Sequence, residues 1–198
     1  EGSQDAVLAN HAYGSEGAIA DVTVYGVSGS TEKLTAPIIA TLQGNLTAKV
    51  TIDEGTMTSV NIASSTNSIG IVVGAVESGT LTVGGLKMTG VTKVTIDASS
   101  NASLDQKNGN AGMLVGCVAD GAGLTIDAEI TAPSGEIKSA TYQNGNDPSA
   151  GAVVGKLGVG DGADTTPVTP VAVNKAIDVS ALSVTGEISG GFVGRAGK

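Results

Sequence analysis

A five-residue pattern, Gly-x-x-Val-Gly, recurs four times in this chain at nearly constant spacing. The copies read GIVVG from Gly70, GMLVG from Gly112, GAVVG from Gly151 and GGFVG from Gly190, so they start 42, 39 and 39 residues apart. A fixed period within roughly 20 to 50 residues is the signature of stacked structural repeats. It also argues against a phosphate-binding loop, which needs a lysine and a hydroxyl residue after its last glycine and occurs once.

The glycines that bound each copy are the candidate structural residues of the repeat. They are Gly70 and Gly74, Gly112 and Gly116, Gly151 and Gly155, and Gly190 and Gly194. Glycine belongs where the backbone adopts positive φ or where two backbones approach closely. The three residues between the glycines cannot all face one side of a strand. We therefore expect this segment to be the most enclosed strand of each repeat, partly covered by a loop of its own repeat.

The composition predicts that the remaining segments are also strands. Apolar residues make up 40% of the chain, yet the aromatic residues are limited to three tyrosines and one phenylalanine, so Val, Ile, Leu and Ala must build the core. Segments such as KVTID and GLTIDAEIT alternate apolar and polar residues, as half-buried strands do. No stretch shows the sustained apolar spacing of a long helix.

These patterns predict an all-β fold, specifically a parallel β-solenoid (β-helix) with repeats of about 40 residues. Two coils of about 20 residues would fit in each repeat. The alternative is a series of tandem small β-sandwiches, which would show a period of about 80 to 100 residues. We divide the chain into residues 1–63, which have strand chemistry without the anchor and form degenerate β coils or a cap, and residues 64–198, the repeat region. Because the chain stops just after the fourth anchor, we expect it to be a fragment of a longer chain.

The charge and the apolar runs of the chain limit the classes of partner that it is expected to bind. Ten basic and nineteen acidic side chains give a net charge of −9, and the basic residues are scattered. Nucleic-acid binding requires a basic stripe, so we expect no nucleic-acid partner. No apolar run approaches the roughly 20 residues of a membrane span, so we expect no membrane insertion within this segment. The single cysteine, Cys117, follows GMLVG directly and is expected to be a small buried hydrophobe.

The anchor segments GMLVG, GAVVG and GGFVG, with GIVVG a near match, resemble the GLUG-motif repeats of bacterial surface and adhesin-like proteins. The resemblance covers about residues 64 to 198. It implies an extracellular, secreted or cell-wall-linked bacterial protein in which the repeats form a stalk or a binding surface. The family supplies no catalytic residues to transfer.

One loop carries a candidate metal site. The segment GVGDGADTT places Asp161 and Asp164 in a glycine-rich loop of the kind that binds calcium in stacked nonapeptide repeats. Calcium needs six to eight oxygen ligands, and those repeats supply them by stacking copies, whereas this loop occurs once. A solvated turn is therefore the favoured interpretation, with weak calcium binding as the alternative. We expect no other cofactor.

Three further sets of residues invite a functional interpretation. Asp97 and Asp178 lie at the same offset after an anchor glycine, but in repeats that are two apart, so we expect no paired acid and base. Thr82, Thr95 and Thr125 could belong to an ice-binding face, yet their irregular spacing is better explained by β propensity. His11 has no nucleophilic partner in the sequence, and we expect it in a surface loop.

The function that fits these observations is a non-catalytic extracellular module of a bacterial surface protein. It would act as a stiff repeat stalk with a surface that binds a host or bacterial protein or a glycan. A self-assembling filament or surface-layer subunit, joined end to end by strand pairing, is one alternative. A carbohydrate-active β-helix enzyme is the other, although the chain has no tryptophan and 2% aromatic residues for sugar platforms.

Overall fold

The structure is a computed structural model that describes residues 6–24, 32–52, 57–64, 67–100, 108–141, 147–158 and 170–196. These parts of the chain form strands and turns, with no helix among them. The all-β class predicted from the sequence is therefore confirmed.

The strands are short, from two to eight residues each. In chain order they are β1 (Ala9–Tyr13), β2 (Ile19–Val24), β3 (Glu32–Leu34), β4 (Ile39–Gln43), β5 (Leu46–Ile52), β6 (Met57–Ala63), β7 (Val73–Ser78), β8 (Thr80–Lys87), β9 (Lys93–Asp97), β10 (Ala111–Gly112), β11 (Val115–Val118), β12 (Gly123–Ile126), β13 (Ile130–Thr131), β14 (Ser134–Lys138), β15 (Ser149–Gly151), β16 (Val154–Leu157), β17 (Val171–Val173), β18 (Ile177–Asp178), β19 (Leu182–Thr185), β20 (Ile188–Gly190) and β21 (Val193–Ala196).

Three larger sheets organise these strands. The first sheet has the order β1-β4-β7-β11-β16-β21, the second β2-β5-β8-β12-β17, and the third β3-β6-β9-β14-β19. Two smaller sheets, β10-β15-β20 and β13-β18, complete the arrangement. Every pairing between these strands is parallel. Tandem β-sandwiches do not fit this pattern, because their sheets are antiparallel.

The chain visits the three larger sheets in the same order again and again, and we call each circuit a pass. In the first sheet Val73, Val115, Val154 and Val193 pair in register, and each is the fourth residue of its anchor. Each sequence repeat is thus one pass. The expectation of two coils per repeat was wrong, because a single pass must supply a strand to three sheets.

Residues 1–63 join the same sheets. Ala9 pairs with Ile39 and Ile39 pairs with Val73, so the passes before the first anchor are shorter than those between anchors. The later passes add strands of the two small sheets, which begin at β10 and β13. The extra strands account for part of the greater length of the later passes.

The small sheet β10-β15-β20 forms a second layer against the first sheet, and we call it the covering sheet. Each of its strands is followed closely by a first-sheet strand. Where the chain turns from the edge of this layer into the first sheet, Ile71, Val72 and Val73 are all 0% exposed. The anchor segment is enclosed in its first three copies, whereas the fourth is partly exposed. The expectation that the anchor is a single strand was wrong, because its second and third residues form a bend, which in the last three copies joins a covering-sheet strand to a first-sheet strand.

One continuous apolar core runs through the passes, and its burial weakens at both ends, where Ile19 of the first pass and Val173 of the last are exposed. Central residues such as Leu124, Ile137 and Val154 are buried, whereas Leu182 and Val193 of the last passes are half-buried. Beyond the strands of residues 171–196 no further strand pairs, within the described part of the chain. The missing neighbour explains the partial exposure.

This difference predicts unequal costs for the same substitution at two paired positions. Val154 and Val193 lie opposite each other, but Val154 is fully buried. Val154→Ala should lower the free energy of unfolding by about 2 kcal/mol, and Val193→Ala by about 1 kcal/mol, since less apolar surface is lost there. Urea unfolding followed by circular dichroism measures both. Equal losses would contradict the burial difference.

Candidate functional site

The second glycine of each anchor lies where backbones of neighbouring passes meet. A methyl group added at Gly116 would lie 2.3 Å from Ile69 N and 2.7 Å from Gly74 O. Both atoms belong to the preceding pass. At Gly155 the added carbon would lie 2.4 Å from Gly116 O and 2.7 Å from Ala111 N, again in the preceding pass. Separations this short leave no room for any side chain.

The first glycine of the anchor lies close to the backbone of the following pass. An added carbon at Gly112 would lie 2.3 Å from Val115 O in its own turn and 2.6 Å from Gly155 N in the next pass. At Gly151 the corresponding distances are 2.1 Å to Val154 O and 2.4 Å to Gly194 N. The two glycines of one anchor therefore contact opposite neighbours, the first reaching the following pass and the second the preceding one.

Close approach, and not backbone conformation, explains these glycines. None of the eight anchor glycines has a positive φ angle. Glycines that do, such as Gly44 at 94° and Gly79 at 72°, lie at turns outside the anchors. The sequence analysis gave two possible reasons for glycine, a positive φ angle or the close approach of two backbones, and the structure supports the second.

A buried polar ladder accompanies the anchors. Ser68, Asn110 and Ser149 occupy the same position before successive anchors, and they are 4%, 0% and 0% exposed. Asn110 Nδ2 donates to Ser68 Oγ at 2.9 Å, and Asn110 Oδ1 accepts from Ser149 N at 3.0 Å. Ser149 Oγ then donates to Gly155 O at 2.7 Å. These bonds satisfy buried polar atoms and link three consecutive passes.

A buried lysine lies on the first sheet between a cysteine and an arginine. Lys156 is 2% exposed and pairs in register with Cys117 on one side and Arg195 on the other. Burial lowers the pKa of the Lys156 ammonium below its usual value, and the Arg195 charge adds to this effect. The Cys117 thiol and the carboxylates of Asp147 and Asp120 oppose the shift of this pKa.

Asp147 joins this cluster to the segment that leads into the covering sheet. Its carboxylate pairs with the Arg195 guanidinium, and its backbone oxygen accepts a hydrogen bond from Lys156 Nζ at 3.4 Å. Two cations from adjacent passes thus hold the segment before β15. Nothing in the sequence marks this cluster, because Asp147 and Arg195 are 48 residues apart and share no motif.

The predicted calcium loop is not part of the described structure. Asp161 and Asp164 fall within residues 159–169, which lie outside the described residues. In the part of the chain that the structure does describe, no three His, Cys, Asp or Glu side chains form a group that could hold a metal ion. Calcium binding at Asp161 and Asp164 stays a prediction.

The two aspartates singled out by their spacing lie in different sheets. Asp97 ends β9 of the third sheet, and its Oδ1 accepts from Ser99 N at 2.8 Å. Asp178 ends β18, and its Oδ1 accepts from Ser180 N at 3.0 Å and from Ser180 Oγ at 2.7 Å, which lowers the pKa of Asp178. Both carboxylates close the turn after their strand.

The threonines form a shorter column than an extended face would need. Thr47, Thr82 and Thr125 pair in register in the second sheet, and the next partner is Ala172. Thr95 lies in the third sheet, so it does not share that column. The sequence analysis did not include Thr47 in this column, because the spacing between Thr47 and Thr82 differs from the period of the anchors.

Two single residues complete the comparison of sequence and structure. Cys117 is 1% exposed, which confirms the prediction that it is buried. His11 is exposed, but it lies on β1 where we expected a loop. The alternating pattern around it is too weak to mark a strand.

The site is thus a set of glycine-anchored parallel passes with buried polar links. Comparison with known proteins finds no matching protein-family model, no matching curated protein and no matching solved structure. Among the described residues, no helix is long and apolar enough to cross a membrane.

The anchor geometry predicts a steep difference between two glycine-to-alanine substitutions. Gly116→Ala places a carbon 2.3 Å from Ile69 N, whereas nothing lies within 4 Å of the position that an added carbon takes at Gly191. Gly116→Ala should cost more than about 3 kcal/mol or prevent folding, and Gly191→Ala should change stability by less than about 0.5 kcal/mol. The urea unfolding midpoints of the two variants measure this difference.

If Gly116→Ala is insoluble, Gly194→Ala in the last pass supplies a milder test. A loss of stability in Gly194→Ala no larger than that in Gly191→Ala would contradict the crowding at the anchor glycines.

The buried lysine predicts a specific pH dependence. Because the folded-state pKa of Lys156 is lowered, the unfolded state binds more protons between that value and the ordinary lysine pKa of about 10.5. The free energy of unfolding should therefore gain a contribution as pH rises through this window. Lys156→Met should lack the contribution, and Lys175→Met, an exposed control, should keep it. Identical pH slopes in wild type and Lys156→Met would contradict the prediction.

Proposed function

We propose that the chain is a parallel β-solenoid that serves as a non-catalytic structural and adhesion module of an extracellular bacterial surface protein. The observation that carries the proposal is the in-register stacking of successive passes through their glycine anchors. Such stacking extends along one axis, because each pass contacts mainly its neighbours. A stack of this kind suits a stalk.

The links between passes support mechanical stiffness. Backbone contacts at the anchor glycines leave no gap for sliding, and the ladder through Asn110 joins adjacent passes by side-chain hydrogen bonds. A register slip would bury unpaired polar atoms and place side chains on the wrong face. Both effects oppose bending and shear along the stack.

The outer surface supports a binding role. On the third sheet, Thr95 and Glu136 pair in register, and Lys138 lies beside Asp97, so residues of both charges and hydroxyl groups share one regular face. A regular polar face of this kind can bind a surface protein or a glycan through many weak contacts. The resemblance of the anchors to GLUG-motif repeats supports an extracellular location.

A self-assembling subunit is the second candidate, and the half-buried end supports it. Leu182, Val184 and Phe192 are core residues that remain partly exposed. Among the described residues the strands at this end have an unpaired edge, which could accept a strand from another copy.

One pair of measurements tests the proposal against this alternative. The purified chain should sediment as a monomer over a wide concentration range and should bind saturably to a subset of targets on protein and glycan arrays. Ordered growth that Leu182→Asp abolishes, while the exposed control Ser183→Asp preserves it, would replace the adhesion module by the filament subunit. A chain that binds no target on either array would overturn the adhesion role.

A further inference from the structure

A cavity lies where three consecutive strands of the third sheet end. Its volume is about 400 Å³, within the about 300 to 1,000 Å³ typical of small-molecule sites. Asp97, Lys138 and Thr185 pair in register at the strand ends, and the residues that follow them line the cavity. Each of three passes therefore contributes to one site.

The floor of this cavity is fixed by buried backbone and side chains. Ser139 and Ala140 are 6% and 4% exposed. Ser139 N donates to Thr185 O at 3.2 Å, and Ala140 N donates to Gly109 O at 2.9 Å. These two backbone hydrogen bonds hold the floor of the cavity in place.

A glycine of the cavity wall packs closely against the Ser139 hydroxyl. The residues at the position after the strand are Ala98, Ser139 and Gly186 in three successive passes, by the register of the strands before them. A carbon added at Gly186 would lie 2.3 Å from Ser139 Oγ. Gly186 has no positive φ angle, so its backbone does not require glycine. Its lack of a side chain allows the Ser139 hydroxyl to keep its position, in which it donates to Ala140 O at 3.1 Å.

The polar groups around the cavity match a neutral polyol. Ser99, Thr141 and Thr185 offer hydroxyl groups that both donate and accept, Glu187 offers a carboxylate acceptor, and Lys138 an ammonium donor. The Lys138 charge is compensated by Glu136, whose Oε2 is 3.1 Å away. With a net charge of −9, the chain repels anionic ligands.

We propose that this cavity, which we call the third-sheet cavity, binds a neutral saccharide unit. This inference rests on the proposed adhesion role and gives it a site and a ligand class. Ring hydroxyls accept from Lys138 and donate to Glu187, while Thr185 and Thr141 bind neighbouring hydroxyls. No aromatic residue lines the cavity, so binding is weak for one unit and gains strength when many copies of the chain meet a polysaccharide.

Nitrogen-15 spectra of the full chain test this proposal directly. The probes are the methyl glycosides of glucose, mannose, galactose and N-acetylglucosamine, each titrated to about 50 mM, far above a millimolar dissociation constant. Methyl glucuronide is the acidic counterpart of the glucose probe. At least one neutral probe should shift the amide signals of Thr141, Thr185, Gly186 and Glu187 saturably. The absence of such shifts with all four neutral probes overturns the proposal, as does tighter binding of the glucuronide at these amides.

Substitutions in the third-sheet cavity test whether the saccharide binds there. Thr185→Val and Glu187→Gln should each raise the dissociation constant about fivefold, as expected for one lost hydrogen bond, and Gly186→Ala should also weaken binding, because the added methyl group displaces the Ser139 hydroxyl in the cavity wall. Thr82→Val and Glu129→Gln, which line other cavities, are matched controls and should change it less than about twofold. Thr185 and Glu187 are exposed, so their variants should fold like the parent. Unchanged affinity in both variants overturns the assignment.

The same variants separate this inference from the adhesion role. Retained binding to a protein target on the arrays, together with no saccharide binding, overturns the third-sheet cavity as a saccharide site and leaves the adhesion module standing. A fivefold weaker saccharide affinity in Glu187→Gln with unchanged protein binding supports the cavity as an independent site.

Discussion

Direct contact between backbones at the anchor glycines is the constraint on which the rest of this structure depends. Where Gly116 meets the backbone of Ile69 and Gly74, there is no space for a β-carbon. That contact lets the covering sheet lie on the first sheet, so that the apolar residues of the bend between the two sheets are buried. Without it, one side of residues such as Val72 would face water, and the core would lose part of its apolar area.

The parts of the fold that repeat in the sequence were predictable from it. The four anchors indicated stacked parallel strands, and the run Ile71 to Val73 indicated enclosure, although its first two residues form a bend and not part of a strand. The number of strands per pass could not be predicted. The turns between strands in the second and third sheets vary in length, so their sequence gives no fixed spacing to count.

The polar links were also missed, for a physical reason. Ser68, Asn110 and Ser149 occupy one position in consecutive passes, but they are not all the same residue type and so show no strict repeat in the sequence. Only the register of the strands reveals that they touch. The same holds for Asp147 with Arg195, which belong to different passes. Long-range polar contacts depend on stacking, and stacking is visible only in the fold.

The opposite directions of the two glycines in each anchor have an evolutionary consequence. Gly112 needs space beside the pass that follows, and Gly116 needs space beside the pass that precedes it, so every anchored pass presents the same two surfaces to its neighbours. A gene segment that encodes one anchored pass could then be duplicated or deleted without creating an unmatched junction. Such a lineage can change its reach by whole units, while the loops of each unit diverge separately.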